Sequence, residues 1–174
     1  MCLFNFTRAA LLVLCMCHIA AAQPQCTVDD VRGVWAYSGA GWLVYPDQPT
    51  PVSVTMIGIM VIDHSGKVTG PGTITTAAPV PGTSIPAGQP LDWEIVSDTP
   101  IQVNPDCTAV LRYGIRIKGM TGVLPGYIDR LIVLVAEGEI LGMGVASPLS
   151  KPLLIYRMKR ITRTPTPVSW PTVP

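Results

Sequence analysis

The chain has 174 residues, with 12 Lys plus Arg against 11 Asp plus Glu; 13% of residues are charged and 48% apolar. Near-neutrality leaves no electrostatic footprint for nucleic acid or an anionic membrane, and the length suits one domain with a real core. Three of the five Cys and one of the two His lie in the first 22 residues, so the rest of the chain cannot build a His/Cys zinc site; neither metal nor cofactor is expected.

Those first residues read as a secretory signal. Arg8 supplies the positive region, Ala9 to Ala20 the apolar stretch, and Ala20-Ala21-Ala22 the small-residue cleavage pattern before Gln23. The apolar run falls short of the ~20 residues that a spanning helix needs. The reading is therefore a signal peptide over 1–22, a secreted mature chain and no integral membrane segment after cleavage. All 16 Gly and all 18 Pro lie beyond the leader, and loss of Arg8 makes the formal charge zero. Two cysteines remain, Cys26 and Cys107, and an oxidising compartment predicts that they pair. Such a bridge would close a loop of about 80 residues, worth roughly 4 to 5 kcal/mol in the chain-entropy model.

Along the mature chain the 3.6-residue period appears only around Val28 to Val34, where Thr27, Asp29 and Asp30 fit a helix start. Everything else reads as strand and turn. Gly33 to Tyr45 is a first strand interrupted by Gly39 and Gly41, which suggest bulges or bends. Val52 to Asp63 ends at the turn His64-Ser65-Gly66, and Val68 to Ala77 returns. Residues 78–92 hold four prolines and predict a long irregular loop. Trp93 to Val96, Ile101 to Val103, Thr108 to Lys118, Ile128 to Ala136, Ile140 to Ala146 and Leu153 to Ile161 complete the strands. Asn104-Pro105-Asp106, Pro125-Gly126 and Glu137-Gly138-Glu139 serve as turns. The fold class is all-β. About eight hairpin-connected strands favour an antiparallel up-and-down barrel over 23–161, with a β-sandwich as the alternative. Residues 162–174 form a Pro/Thr-rich flexible tail.

Strand faces carry more information. Thr108 to Lys118 alternates, with Ala109, Leu111, Tyr113, Ile115 and Ile117 on one face. Val54 to Ile62 and Ile128 to Val135 are apolar on both faces, so their outer faces need cover from the Pro-rich loop, the tail or a second copy in a homo-oligomer.

The segments Val31 to Trp42 (VRGVWAYSGAGW), Ile62 to Gly70 (IDHSGKVTG), Val103 to Leu111 (VNPDCTAVL) and Ile128 to Leu141 (IDRLIVLVAEGEIL) resemble those of small secreted calycin-like or allene-oxide-cyclase-like β-barrel proteins. The resemblance implies a barrel with one open end and a cavity that holds a hydrophobic substrate without a cofactor.

No G-x-S-x-G, H-E-x-x-H, P-loop or G-x-G-x-x-G motif occurs. His64 reads as a solvated turn residue. Asp129 and Arg130 stand out because they begin a strand otherwise apolar on both faces. Either they lie at its end, in water beside Pro125-Gly126, or Asp129 or Arg130 reaches the cavity mouth as the catalytic group, beside Tyr113 as a ligand-binding residue. Trp35, Tyr37 and Trp42 are candidate ligand-binding aromatics in the same cavity, and Met56, Met60, Met120, Met143 and Met158 are adaptable lining. The expected function is binding of a small hydrophobic ligand, extending to a cofactor-free cyclase or isomerase. The alternative is a non-catalytic secreted interaction or surface protein using apolar outer strands. A cavity of roughly several hundred Å³ lined by Met, Tyr and Trp would mark the first, and a barrel filled with side chains the second.

Overall fold

The computed structural model describes residues 25–79, 86–97, 99–122, 124–133, 138–147 and 150–168, with strand β7 given by its backbone alone. One helical turn, α1 (Val28–Val31), precedes β1 (Gly33–Val44), β2 (Val52–Ile62), β3 (Val68–Thr76), β4 (Leu91–Val96), β5 (Gln102–Val103), β6 (Thr108–Ile117), β7 (Leu124–Val133), β8 (Glu139–Ala146) and β9 (Lys151–Thr162). Every pairing is antiparallel, and sequential neighbours pair throughout except at β4–β5. Two further pairings complete the ring: β9 lies against β1, and β4 meets β6 from Trp93↔Ile117 to Val96↔Gly114. The fold is thus an eight-stranded meander closed on itself, the barrel rather than the sandwich. Closure satisfies both edges of each long strand, which removes the unpaired amide rows of an open sheet.

The short β5 resumes where β4 leaves off, pairing with Val110 and Ala109 on the same edge of β6. The interruption is stitched by buried Ser97, whose Oγ lies 2.6 Å from the Thr99 carbonyl and 3.1 Å from that of Arg112.

Strands β4, β7, β8 and β9 start earlier than the sequence suggests, and at β4 and β7 the shift changes the reading. Leu91 and Asp92 belong to β4 rather than to the Pro-rich loop, because Leu91 pairs with Ile74 and continues the inward alternation of Trp93 and Ile95. β7 starts at Leu124, so Pro125-Gly126 sits inside a strand. An irregularity between Tyr113 and Ile115 of the partner absorbs it.

Alternation places one face of each strand inside. Trp35, Tyr37 and Leu43 of β1 pair with Met60, Gly58 and Val52 of β2, and on the other side Tyr37 meets Met158 of β9. With Val54, Ile62, Val68, Trp93, Leu111, Ile115, Ile140 and Tyr156 they form one buried cluster. The Gly39 and Gly41 expected to be bulges lie in unbroken register on both sides. Glycine is needed instead where rings fill the interior. A Cβ at Gly72 would come 2.2 Å from Tyr37 Oη and 2.8 Å from the Trp93 indole, and one at Gly142 would come 2.2 Å from the Tyr156 ring. The Tyr37 and Trp93 rings are tilted by 55° with centroids 6.2 Å apart, a favourable aromatic arrangement.

One end of the barrel is plugged by local sequence. Asp30 Oδ2 accepts hydrogen bonds from Thr27 N at 2.8 Å and Thr27 Oγ1 at 3.1 Å, fixing the start of α1. This turn drives Val31 into the core, and the Val31 carbonyl accepts from Trp35 Nε1 at 2.8 Å. Arg160 stacks over the Trp35 ring at 4.4 Å and donates to the Asp30 carbonyl. Cys26 and Cys107, 81 residues apart in sequence, are at disulfide distance with Cα atoms 4.9 Å apart. The bridge pins the N-terminal arm to the β5–β6 turn, where Cys107 N donates to the Asn104 carbonyl at 3.0 Å.

Candidate functional site

The barrel interior, where a calycin-like protein would hold its ligand, is occupied by the protein's own side chains. Trp35 is 0% exposed, Tyr37 is buried and Tyr113 is half-buried against the same cluster. Of the five methionines considered as lining, Met60 and Met158 are buried in the core, while Met56 and Met120 pack against it. Among the described residues the expected Met/Tyr/Trp lining is therefore present and packs into one buried cluster, with the Tyr37 ring against Trp93. Trp42 is a correction. It lies an odd number of positions from Trp35 and Tyr37, so the alternation of β1 turns it outward, where it is 54% exposed.

Asp129 and Arg130 lie within β7 rather than at its end. In register Asp129 is opposite Leu111 of β6 and Gly144 of β8, while Arg130 is opposite Val110 and Met143. Their side chains lie outside the described residues. The placement beside a Pro125-Gly126 turn does not hold, because that dipeptide is itself part of the strand.

Among the described residues, two depressions open on the outer surface. The larger, about 660 Å³, runs over β3, β4 and β6 and is bordered by the tail residues Pro167 and Val168. Lys67, Arg116, Lys118 and Met120 are among its lining residues. Its charges are largely engaged locally. Arg116 pairs with Glu94, and Lys118 Nζ lies 3.8 Å from Asp92 Oδ2. The smaller, about 310 Å³, lies over β1, β8 and β9.

Beside the smaller depression is the most unusual surface of the molecule. On the outward face Trp42 pairs with Leu153, Ala40 with Ile155, and Ile155 with Met143. Leu153 is 60% and Ile155 65% exposed, and Met143 and Val145 are exposed as well. These side chains form two adjoining rows across three strands, a contiguous apolar wall rather than scattered single residues. Of the tail, one of the covers expected for apolar outer faces, the described residues Pro167 and Val168 border the β3–β4–β6 groove rather than this wall. Sequence reasoning missed the wall, although its signal is present. In Lys151–Thr162, Leu153 and Ile155 alternate with buried Leu154 and Tyr156, so the strand is apolar on both faces, as β2 is.

The turns at the plugged end hold the perturbed carboxylates. Asp63 lies below its ordinary pKa, chiefly because its Oδ1 accepts from Ser65 Oγ at 2.7 Å. The Ser65 and Lys67 amides add to this, and partial desolvation opposes it. Asp106 is likewise lowered, first by the Thr108 amide and then by its hydroxyl. Both carboxylates tie down turns. His64 is exposed, with Nδ1 3.2 Å from Arg32, which also pairs with Asp29 at 2.9 Å. Among the described residues no group of three His, Cys, Asp or Glu side chains is placed to hold a metal.

No family model, curated protein or solved structure matches the chain.

Proposed function

We propose that the chain is a secreted, disulfide-bonded interaction protein whose barrel is a rigid platform and whose working surface is the outer wall of β8, β9 and β1. One observation carries this reading. The inward aromatics are buried against one another, whereas Trp42, Met143, Val145, Leu153 and Ile155 present a continuous apolar face to solvent. Burying those side chains against a partner recovers the hydrophobic free energy that folding leaves unused on this wall. A Cys26–Cys107 pair at bonding distance suits an oxidising compartment. Among the described residues no helix is long and apolar enough to cross a membrane.

The test is site-specific photocrosslinking in the producing organism. A benzophenone side chain at position 42 or 155 should give a discrete adduct, and one at position 94 or 116 on the opposite wall should not. Equal labelling at the four positions, or none, would refute the reading. Sequencing the N-terminus of the external protein should return Gln23.

A second reading keeps a small hydrophobic ligand, on the strength of the 660 Å³ groove between the β3–β4–β6 wall and Pro167–Val168. Its volume lies in the range of ligand sites, about 300 to 1,000 Å³. In this reading the ligand binds outside the barrel. The cyclase or isomerase chemistry implied by the family resemblance would need a catalytic group beside the groove. Thermal stabilisation by an apolar metabolite, lost on Met120→Glu, would favour it over the platform.

A further inference from the structure

We infer that the partner of the β8–β9–β1 wall is an anionic lipid surface. The inference rests on the platform reading and deepens it. Three features of the wall converge on this occupant.

The first is charge. The chain as a whole is nearly neutral, but its charges are not evenly spread. β1 has no charged residue, β9 has no acid, and Glu139 is the one acid of β8. Against it stand Lys151, Arg157 and Lys159, all at outward, exposed positions of β9. Among the described residues neither Arg157 nor Lys159 takes part in an ion pair. A basic rim around an apolar centre complements a surface that is acidic outside and apolar beneath. This revises the expectation drawn from near-neutrality, because attraction within a Debye length depends on the local patch on β9 and not on the summed charge of the chain.

The second is relief. Leu141 pairs with Arg157, and Arg157 pairs with Ser38 of β1, so the basic row adjoins the Met143–Ile155–Ala40 row along the strands. The small side chains of Ala36 and Ser38 leave the depression of about 310 Å³ between these groups, bordered by Arg157 and Lys159 and, opposite Lys159, by Glu139. A phosphate headgroup can sit there while Leu153, Ile155 and Met143 reach the acyl boundary. The half-exposed Trp42 indole suits the headgroup level, where its apolar ring and polar N–H are both satisfied.

The third is shape. The wall of a closed barrel is convex, so two copies would touch along a narrow strip with like-charged basic rims facing each other. A bilayer interface deforms around a convex face and supplies the opposite charge.

The experiment is co-sedimentation of the full mature, oxidised chain with vesicles of phosphatidylcholine alone or of phosphatidylcholine mixed with anionic phosphatidylglycerol. Binding is expected to the anionic vesicles, weakened by salt and accompanied by a blue shift of tryptophan emission. Leu153→Ser/Ile155→Ser should abolish it at unchanged Tm. Arg157→Gln and Lys159→Gln should each weaken it about fivefold, the effect of one cation near an anionic surface. Glu94→Gln, on the other wall, should change nothing. No binding of folded protein to either vesicle, or equal loss from the Glu94 variant, would overturn the inference. Sedimentation velocity without lipid then separates the two levels. Self-association abolished by Ile155→Ser would keep the platform and replace the lipid by a second copy. Absence of self-association, together with absence of site-specific crosslinks, would remove both.

Discussion

Two walls of the same barrel face inward in the same way and outward in opposite ways. The β4–β6 wall buries Trp93, Ile95, Ile115 and Ile117, and shows water the Arg116–Glu94 and Lys118–Asp92 pairs. The β9–β1 wall buries Trp35, Tyr37, Tyr156 and Met158, and shows water Trp42, Leu153 and Ile155. Both supply the core equally, so the apolar outer residues of β9–β1 are not demanded by folding. A wall that costs solubility without adding to the core is better understood as a surface with a use.

That contrast can be broken at several strengths. The largest effects should come from the shared interior and its plug. Cys107→Ser removes the cross-link over the long loop and should destabilise the chain by about 4 to 5 kcal/mol, read by urea denaturation under non-reducing conditions. Trp35→Ala takes away a fully buried ring, its hydrogen bond to Val31 and the face on which Arg160 stacks, and should cost about 3 to 5 kcal/mol in the same assay. Gly72→Ala places a methyl against Tyr37 and Trp93 and should cost about 1 to 3 kcal/mol through overpacking. If it proves neutral, the interior holds free space beside Tyr37 and Trp93, and the internal cavity implied by the family resemblance regains ground.

The outer-wall substitutions are the sharper half of the comparison. Leu153→Ser and Ile155→Ser should shift stability by no more than about 0.5 kcal/mol while lowering binding of a hydrophobic dye. A loss as large as that of an interior residue would mean that the wall is covered in the native protein. The smallest effect is pH-dependent and confined to a turn. Asp63 has a depressed pKa in the fold, so its contribution is present above the unfolded value, about 3.9, and lost as pH falls through the lower folded value. Thermal scans from pH 5 down to about pH 2 should show a slightly steeper acid loss for the wild type than for Asp63→Asn.

The strand periods and turn residues made most of the architecture legible. The hairpin at His64-Ser65-Gly66, the alternation of Thr108–Ile117, the helix start at Thr27 and the cysteine pair all appear as the sequence suggests. Pro125-Gly126 did not read correctly, because a proline next to a strand irregularity looks like a turn until its partner strand is seen. The site was less legible. Trp35, Tyr37 and Trp42 share a strand and a residue class, and only counting parity along an unbroken β1 separates the two inside from the one outside. The wall escaped notice because its members come from β1, β8 and β9. They become neighbours only when the last strand closes on the first.

Sequence alone determined what local chemistry can encode: the all-β pattern and the pairing of Cys26 with Cys107. Each depends on residues near in sequence or on composition. Tertiary structure decided whether the barrel would be hollow and where its apolar surplus would lie. Those outcomes depend on which rings meet across the interior, such as Tyr37, Trp93 and Tyr156 against the glycines facing them. They depend equally on the β9–β1 closure, which joins residues over a hundred positions apart into one exposed face.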